Sequence, residues 1–538
     1  MITVAQAIVK CLEEEQISVV FGYPGAAICP FYDALSKSHI HHVLVRQEQN
    51  AGHAASGYAR ISGKPAVCIA TSGPGALNLI TAIATAYMDS IPMVIITGQV
   101  SRELLGRDVF QEADITGAVE PFIKYSYLVK DASKIGTIMK EAFYLAGTGR
   151  PGPVLVDVPV DVQSEKIQFA YPETVHMRSY NPTVKGHPGQ IKRAMTALKN
   201  AKRPLLCAGG GVFAAHAVEQ LRQFCKKTQI PVITTMMGIS AIPYDDPLYF
   251  GMLGSHGVKV ANHAIHQADV LLLIGARAGD RAVRFPHELS ESTRIIHIDV
   301  DPAEIGKNLE TGIPIVGDAK HVLEEMISKA VPLECEEWVA TLKEIRDSHH
   351  ERYRFKDGFI NPKIFINRLT ERAPEGSVVV ADVGQNQIWT ANHFHVKEGR
   401  FLTSGGMGTM GYSIPAAEGA KFAAPDKTVI AVCGDGSFQM QMMELGTICQ
   451  ENNPVKIVVM TNHYLGMVRE IQEKAYANNI MAVSLQGSPD ITQIARSYGM
   501  QARRICSMDE VDEAIDELLQ STGPCLLECS VAPEESTL

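Results

Sequence analysis

Short apolar runs, each ending in glycine or a polar residue and followed by a helical pattern, recur along this sequence. In the first part of the chain they include VLV at 43–45, PAVCIA at 65–70 and PMVIITG at 92–98, and residues 76–88 between the last two have a helical pattern. A strand, a helix and a further strand in that order pair in parallel through a right-handed crossover. The pattern therefore predicts an α/β fold with parallel sheets, in which ligands bind beyond the carboxyl ends of the strands.

This alternation occurs in three blocks, and a chain of 538 residues is too long for a single core. A polar, proline-containing stretch at about 163–190 and a charged stretch at about 335–362 separate the blocks. We expect three doubly wound parallel-sheet domains, spanning 1–165, 185–335 and 360–535. Further strands are predicted at 152–159, 203–211, 231–238, 269–277, 294–302, 377–384, 427–436, 455–462 and 525–531.

Composition excludes several classes of function. The formal net charge is -10 and no basic stretch is present, which argues against a sequence-independent nucleic-acid grip. No apolar run approaches the ~20 residues that span a bilayer. Thr3 and Gln6 form a capping box for a first helix in place of a cleavable signal, so we predict a cytoplasmic protein. The 11 cysteines lack zinc-site spacing and are interpreted as structural thiols of a reducing compartment.

The most informative segment is Gly434-Asp435-Gly436-Ser437, which follows a predicted strand and precedes a helix. Glycines permit close backbone approach, and a helix N-terminus offers free N–H groups to a diphosphate. The next strand ends at Asn462, so the Asp435 and Asn462 oxygens share one sheet edge and suit Mg²⁺. The alternative is a tight turn in which Asp435 only caps the helix.

Glu48 follows the strand at 43–45 and precedes the small-residue helix AGHAASGYAR. A carboxylate partly buried at a strand's carboxyl end is a suitable proton partner for a neutral heterocycle. The alternative is an exposed carboxylate that caps the helix.

The segments GDGSFQM…VVMTNHYLGMV and RQEQNAGHAASGYAR resemble the cofactor-binding motifs of the thiamine diphosphate (ThDP) dependent decarboxylases and synthases. The resemblance implies a Mg²⁺ ion bound by Asp435, Asn462 and the Tyr464 carbonyl. Thr461 departs from the motif, which usually has paired asparagines. The resemblance also implies that Glu48 hydrogen-bonds the aminopyrimidine ring of a cofactor bound by a second subunit, hence a homodimer or a dimer of dimers. The other cofactor contacts implied in these segments are Gly434, Gly436, Ser437, Gly466 and Met467.

Further segments are similar to those of the acetolactate synthases. GYPG contains Gly25, GRDVFQE contains Phe110 and Gln111, and PFIKYSYLV contains Lys124, all expected near the reacting groups. DVGQNQIW and SGGMGTMGYSIPAA imply cofactor contacts by Gly384, Gln385, Asn386, Gly408 and Met410. Taken singly, Phe110 could be core, Gln111 a helix cap, Met410 a gap filler and Lys124 a solvated charge.

In the second block, a glycine run after a strand could seat a dinucleotide phosphate. Biosynthetic acetolactate synthases bind FAD here without redox chemistry, which implies FAD contacts by Gly209, Gly210, Gly211, Arg281, Asp299 and Asp301. The family's RFDDR stretch reads RAGDR at 277–281, a departure that bears on FAD.

The expected activity is decarboxylation of pyruvate and its joining to a second 2-oxo acid, giving 2-acetolactate for branched-chain amino-acid biosynthesis. Ile471 stands where the acetolactate synthases usually have a tryptophan that favours 2-oxobutanoate as the acceptor. We therefore predict only a weak preference for 2-oxobutanoate over pyruvate. Many members have a small regulatory subunit, and the sequence leaves open whether this chain binds one. Alternatives are another ThDP-dependent decarboxylase, oxidase or carboligase, a catalytically silent nucleotide-binding homologue, and an NAD-dependent dehydrogenase, which the lack of GxGxxG after a strand disfavours.

Overall fold

The computed structural model describes residues 1–283, 289, 291–348 and 353–537. Its strands form three six-stranded sheets in which every neighbouring pair among these residues is parallel. A separate two-stranded antiparallel ribbon joins β1 (Ile2–Thr3) to β8 (Lys166–Ile167). The predicted α/β class with three parallel sheets is therefore confirmed.

The first sheet has the order β3-β2-β4-β5-β7-β6. The predicted capping box starts its first helix, since the Thr3 hydroxyl accepts the Gln6 N–H at 3.2 Å and the Gln6 side chain accepts the Thr3 N–H at 3.0 Å. The strands are β2 (Val19–Gly22), β3 (His41–Leu44), β4 (Ala66–Ala70), β5 (Met93–Gln99), β6 (Tyr125–Leu128) and β7 (Pro153–Pro159). The helices are α1 (Val4–Glu14), α2 (Cys29–Leu35), α3 (Glu48–Ser62), α4 (Pro74–Asn78), α5 (Ile80–Met88), α6 (Ile115–Val119), α7 (Ile135–Gly147) and α8 (Val160–Ser164).

The central sheet has the order β11-β10-β9-β12-β13-β14. Its strands are β9 (Pro204–Ala208), β10 (Val232–Thr234), β11 (Tyr249–Met252), β12 (Val270–Ile274), β13 (Arg294–Asp299) and β14 (Ile313–Val316). Around it lie α9 (Pro188–Lys199), α10 (Gly211–Ala214), α11 (Val218–Thr228), α12 (Lys259–Gln267) and α13 (Ala319–Lys329). Numbered within the sheet, this order is 3-2-1-4-5-6, that of dinucleotide-binding folds, whose strand order reverses between β9 and β12.

The third sheet has the order β16-β15-β17-β18-β20-β19, and α14 (Glu336–Asp347) precedes it in the charged connection. Its strands are β15 (Val378–Ala381), β16 (Arg400–Thr403), β17 (Val429–Gly434), β18 (Lys456–Thr461), β19 (Gln501–Ile505) and β20 (Cys525–Ser530). Its helices are α15 (Pro362–Arg372), α16 (Gln385–Asn392), α17 (Ser413–Ala423), α18 (Asp435–Gln441), α19 (Leu445–Gln450), α20 (Gly466–Ala475), α21 (Ile491–Ser497) and α22 (Val511–Gln520). Within the described part of the chain, no helix has the length and apolar character needed to cross a bilayer.

Helices α3 and α17 cross at very short distance and join the first domain to the third. A Cβ atom on Gly57 would lie 1.9 Å from the Ala416 carbonyl oxygen, and one on Gly419 would lie 1.8 Å from the Ala54 carbonyl oxygen. Only glycine fits at these two positions. Because α3 begins at Glu48, the crossing fixes the helix that carries this carboxylate.

Candidate active site

Three helices begin at the carboxyl edge of the third sheet. The adjacent strands β15, β17 and β18 are each followed by a helix, namely α16, α18 and α20. Gly384, which precedes α16, has a φ of 132°, a conformation that suits glycine. The free N–H groups and positive dipole ends of the three helices converge on one region. This edge is therefore suited to a multiply charged anion such as a diphosphate.

Asp435 and Asn462 lie together at this edge, as predicted from the sequence. Asp435 Oδ2 accepts the His463 N–H at 2.8 Å, and Asn462 Oδ1 accepts the Tyr464 N–H at 2.9 Å. Burial raises the pKa of Asp435 to about 6, which the His463 N–H partly opposes. A nearby cation would favour the ionised carboxylate.

The donor set fits Mg²⁺ only together with a bound phosphate. Carboxylate, amide and main-chain carbonyl oxygens are ligands that Mg²⁺ prefers. Across the described residues, no three His, Cys, Asp or Glu side chains are grouped as a metal site. Asp435 therefore supplies a single negative charge, and a Mg²⁺ ion here would rely on diphosphate oxygens for the rest of its shell.

The remaining candidates in the third domain surround the same edge. Gln385 Oε1 accepts a hydrogen bond from Asn462 Nδ2 at 3.2 Å, and a Cβ on Gly466 would lie 2.0 Å from the same oxygen. Asn386 Nδ2 donates to the carbonyls of Asp382 at 2.9 Å and Val432 at 3.2 Å. Asn386 therefore joins the ends of β15 and β17, a structural role that the sequence did not indicate.

Met410 faces the glycine turn across the site. Its Cε lies 3.5 Å from the position of a Cβ on Gly436, and Gly408 has a φ of 69°. Buried Asp382 holds the loop that carries Met410, since its carboxylate accepts the N–H groups of Gly411 at 2.9 Å and Ser413 at 2.8 Å. Ser437 directs its hydroxyl to the Val383 carbonyl at 3.4 Å.

Glu48 stands at the carboxyl edge of the first sheet, among small residues. Its Oε2 accepts a hydrogen bond from Asn78 Nδ2 at 2.9 Å, and Oε1 lies 3.2 Å from the position of a Cβ on Gly75. A Cβ on Gly25 would lie 2.5 Å from Thr71 Cγ2. The Gly25 loop and the Thr71–Gly75 turn thus pack around the half-buried carboxylate.

Gln111 belongs to the same group, whereas Phe110 extends into solvent. A Cβ on Gly73 would lie 2.8 Å from the Gln111 carbonyl oxygen, so the loop packs on the turn beside Glu48. Glu112 accepts the N–H groups of Gly106, Arg107 and Val109 and orders this loop. Phe110 is 87% exposed, which contradicts its interpretation as core.

Lys124 lies apart from Glu48. It precedes β6 and therefore lies at the amino edge of the sheet, opposite the edge that carries Glu48. Its ammonium donates to the carbonyls of Leu145 at 2.5 Å, Thr148 at 2.6 Å and Arg150 at 2.8 Å. Burial lowers the pKa of Lys124 to about 8. Within this chain Lys124 thus caps the end of α7 and is neither a solvated charge nor a neighbour of Glu48.

A cavity of about 860 Å³ opens at the switch point of the central sheet. This volume is near the upper end of the roughly 300–1,000 Å³ of ligand pockets. Of the FAD candidates, Gly210, Gly211, Arg281 and Asp299 line it, together with Gly384, Gly408 and Met467 of the third domain.

The other FAD candidates have structural roles. A Cβ on Gly209 would lie 2.3 Å from the Gly275 carbonyl oxygen, so this glycine is required by packing. Asp301 pairs with Arg150 at 3.2 Å, and its N–H donates to Asp299 Oδ1 at 2.9 Å. Burial raises the pKa of Asp299 to about 6. Arg150 itself lines the cavity, so Asp301 acts on the lining indirectly.

Models of three domain families match this chain in order. They are the N-terminal TPP binding domain, the central domain and the C-terminal TPP binding domain of thiamine pyrophosphate enzymes, at residues 2–118, 191–326 and 382–529. The chain is 44% identical to a probable acetolactate synthase large subunit of Methanocaldococcus jannaschii, over 99% of this chain and 92% of the relative. It is also 42% identical to the acetolactate synthase isozyme 2 large subunit of Escherichia coli, over 98% and 95%. The chain belongs to the acetolactate synthase large-subunit family. It is accordingly a ThDP-dependent enzyme of that family.

Several residues that shape this site were not predicted from the sequence. Asn78 and the Thr71–Gly75 turn contact Glu48 or its neighbours, and Asp382 anchors the Met410 loop. The turn has the sequence TSGPG and directly follows the predicted strand at 65–70. Its position at the carboxyl end of a strand could have indicated that it belongs to the site. Asn78 lies a helical turn further on, and its contact with Glu48 is visible only in the fold.

Proposed function

We propose that this enzyme decarboxylates pyruvate and joins the remaining two-carbon unit to a second 2-oxo acid, giving 2-acetolactate when that acid is also pyruvate. The observation that carries the proposal is the presence of two half-sites in one chain. Glu48 with its small-residue surroundings lies at one sheet edge, and Asp435 with Asn462 lies at another. A catalytically silent homologue would need neither the Glu48 carboxylate nor the adjacent oxygens of Asp435 and Asn462.

Magnesium and the cofactor diphosphate belong, in this proposal, to the third domain. Asp435, the Asn462 side chain and the Tyr464 carbonyl would hold Mg²⁺, and the helix N-termini at α16, α18 and α20 would receive the phosphates. ThDP supplies the electron-accepting chemistry of decarboxylation when bound. Met410 and the Gly408 turn would support the cofactor from the opposite side.

Glu48 is proposed to hold and exchange the proton of the cofactor's aminopyrimidine ring. Asn78 orients its carboxylate, and Gly25 and Gly75 allow the Gly25 loop and the Thr71–Gly75 turn to pack closely around it. Exposed Phe110 and its half-buried neighbour Gln111 would meet the substrate. The partner that supplies the cofactor would be a second copy of the chain, so a homodimer is the smallest active unit.

FAD is proposed for the cavity of the central domain, in a structural role. The 3-2-1-4-5-6 strand order and the Gly210 turn at the switch point support a dinucleotide. Arg277 and Arg281 line the same cavity and could pair with a pyrophosphate.

The acceptor pocket is proposed to favour 2-oxobutanoate only weakly. Ile471 lines the cavity beside Met467 and Gly408 and is 48% exposed. One methylene in an apolar pocket changes binding by only ~1–3 kcal/mol.

The relatives described as large subunits also suggest a small-subunit partner for this chain.

The test is an assay of the purified protein with pyruvate, ThDP and Mg²⁺, with and without FAD, comparing the unaltered chain with Glu48→Gln. Glu13→Gln is the matched control, because it removes an exposed carboxylate of α1 without touching the site. Acetolactate formation that persists in the control and is lost in Glu48→Gln is the expected result. Acetaldehyde, acetyl phosphate or a semialdehyde as the product, or untouched pyruvate, would overturn the proposal in favour of another ThDP-dependent reaction.

A further inference from the structure

A buried carboxylate, Glu470, collects hydrogen bonds from three parts of the third domain. It stands on α20 and is only 8% exposed. It accepts from Gln385 Nε2 at 2.8 Å, from Lys474 Nζ at 2.6 Å and from the Ser536 hydroxyl at 2.7 Å. The Thr537 hydroxyl adds a bond at 3.0 Å, so the C-terminal segment is attached to the same group. None of these bonds involves the cofactor contacts that the sequence predicted on α20.

The hydrogen bonds continue from Glu470 to the proposed metal ligand. Gln385 Nε2 donates to Glu470 and, at 2.9 Å, to the Glu535 carbonyl, while Gln385 Oε1 accepts from Asn462 Nδ2 at 3.2 Å. Asn462 Oδ1 then faces the 463–464 loop, where it accepts the Tyr464 N–H at 2.9 Å. Gln385 and Asn462 are both buried, so solvent cannot replace a lost partner.

The chemistry of the first group fixes the direction of every bond along this series. A carboxylate only accepts hydrogen bonds, so Gln385 must present its NH₂ group to Glu470. Its oxygen is then turned to Asn462, which must donate with its own NH₂ group. The Asn462 oxygen is left on the side of Asp435, where a cation could bind it.

We propose that Glu470 is a positioning residue for the metal site, acting through Gln385 to hold the oxygen of Asn462 toward Mg²⁺. The inference rests on the proposed role of Asn462 as a metal ligand. Partners that orient metal ligands from behind typically change metal affinity by about 10–100-fold when they are mutated. The C-terminal residues Ser536 and Thr537 complete the arrangement by holding Glu470 itself.

Glu470→Gln tests the direction of the bonds with almost no change in shape. A glutamine can donate as well as accept, so only the Glu535 carbonyl would still favour the present orientation of Gln385, and the orientation of Asn462 would be held less firmly. With the Asn462 NH₂ group turned toward the cation for part of the time, metal affinity falls. Glu473→Gln is the matched control, since Glu473 is an exposed carboxylate on the same helix. Lys474→Gln is a second control, because it removes a donor to Glu470 but leaves the carboxylate.

The measurement is the binding of Mn²⁺, as a spectroscopic substitute for Mg²⁺, to each variant in the presence of ThDP, followed by electron paramagnetic resonance. We expect Glu470→Gln to weaken Mn²⁺ binding about 10–100-fold, with both controls within threefold of the unaltered protein. At saturating metal, kcat should recover, because the reacting groups are unchanged. Thermal unfolding of the metal-free proteins establishes that each variant is folded. If Glu470→Gln does not fold, Gln385→Leu interrupts the series at its middle and should weaken Mn²⁺ binding to a similar extent.

Equal Mn²⁺ affinity in Glu470→Gln and Glu473→Gln would overturn the inference, as would an equally large loss in Lys474→Gln. If the unaltered protein bound neither Mn²⁺ nor ThDP, the proposed function itself would be wrong, which is a different outcome. A loss of affinity confined to Glu470→Gln and Gln385→Leu supports the positioning role.

Discussion

Replacement of Gly419 by alanine should push α17 and α3 slightly apart and so displace α3, the helix that begins at Glu48. Gly419 lies on α17 where it crosses α3, and an added Cβ would be 1.8 Å from the Ala54 carbonyl oxygen. Contacts of Cβ atoms closer than 3.0 Å essentially do not occur, so the helices must part by about 1.2 Å. Both atoms in this clash belong to rigid helices, so no side-chain rotation can relieve it.

Two effects of different size should follow. Overpacking of a well-packed core typically costs about 1–3 kcal/mol, of which the better helix propensity of alanine recovers up to about 1 kcal/mol. A displacement of about 1 Å at catalytic groups can lower the rate by roughly 100-fold. Activity should therefore fall further than stability.

Differential scanning calorimetry at a fixed scan rate, together with kcat for acetolactate formation, checks both effects. Gly523→Ala is the matched control, because a Cβ there meets no atom within 4 Å. The double variant Gly57→Ala/Gly419→Ala should cost less than the sum of the single changes, since one separation relieves both clashes. A melting temperature and kcat for Gly419→Ala equal to those of Gly523→Ala would refute the reasoning about this crossing.

Two further predictions concern pH and acceptor choice. Burial raises the pKa of Asp157 to about 7, well above its unfolded value of about 3.9, so the folded state holds its proton longer. The unaltered chain should therefore lose stability relative to Asp157→Asn as pH rises from about 4 to 7, and the difference should level off above that. Melting temperatures of both proteins across this range check the sign, and a difference that does not change with pH would contradict it. Ile471→Trp should fill part of the cavity and raise the ratio of 2-oxobutanoate to pyruvate used as acceptor about tenfold, which a competition assay measures. An unchanged ratio would show that Ile471 does not line the acceptor pocket.

Most interior strands of the sheets could be predicted from the sequence, whereas most edge strands could not; the exceptions are the edge strand β3, which was predicted, and the interior strand β2, which was missed. Four strands of each sheet were expected, and all twelve form, including β17 and β18, which end beside the proposed metal ligands. Five of the missed strands, β6, β11, β14, β16 and β19, lie at sheet edges. Edge strands are covered on fewer sides, so sequences such as QARRI at 501–505 keep polar side chains and lack a continuous apolar run.

The candidate site shows the same division between local and distant information. Asp435 and Asn462 each follow a strand directly, and adjacent parallel strands must bring them together. Gln385 was expected to contact the cofactor, and that prediction stands; its two polar ends also join Asn462 to Glu470, which the sequence did not indicate. That role depends on a helix 85 residues away in the chain, a distance at which periodicity carries no information. Lys124 was expected near the substrate channel, and its ammonium donates to carbonyls at the end of α7, contacts that the sequence likewise did not indicate.

The packing of α3 gives a physical reason for the proposed dimer. On one side, α3 is held against α17 of the same chain by the Gly57 and Gly419 crossing, and Asn50 donates to buried Glu444 of the third domain at 2.5 Å. The carboxylate of Glu48 instead contacts α4, where it accepts a hydrogen bond from Asn78, and the loop of Gln111 and exposed Phe110 packs on the nearby Gly73 turn. Because the third domain of its own chain already covers one side of α3, the proposed cofactor would have to approach Glu48 from another side. A second copy of the chain, presenting its own Asp435 edge there, would complete the site and cover Phe110. In the proposed dimer, the same crossing that fixes Glu48 would thus also turn it toward the second subunit.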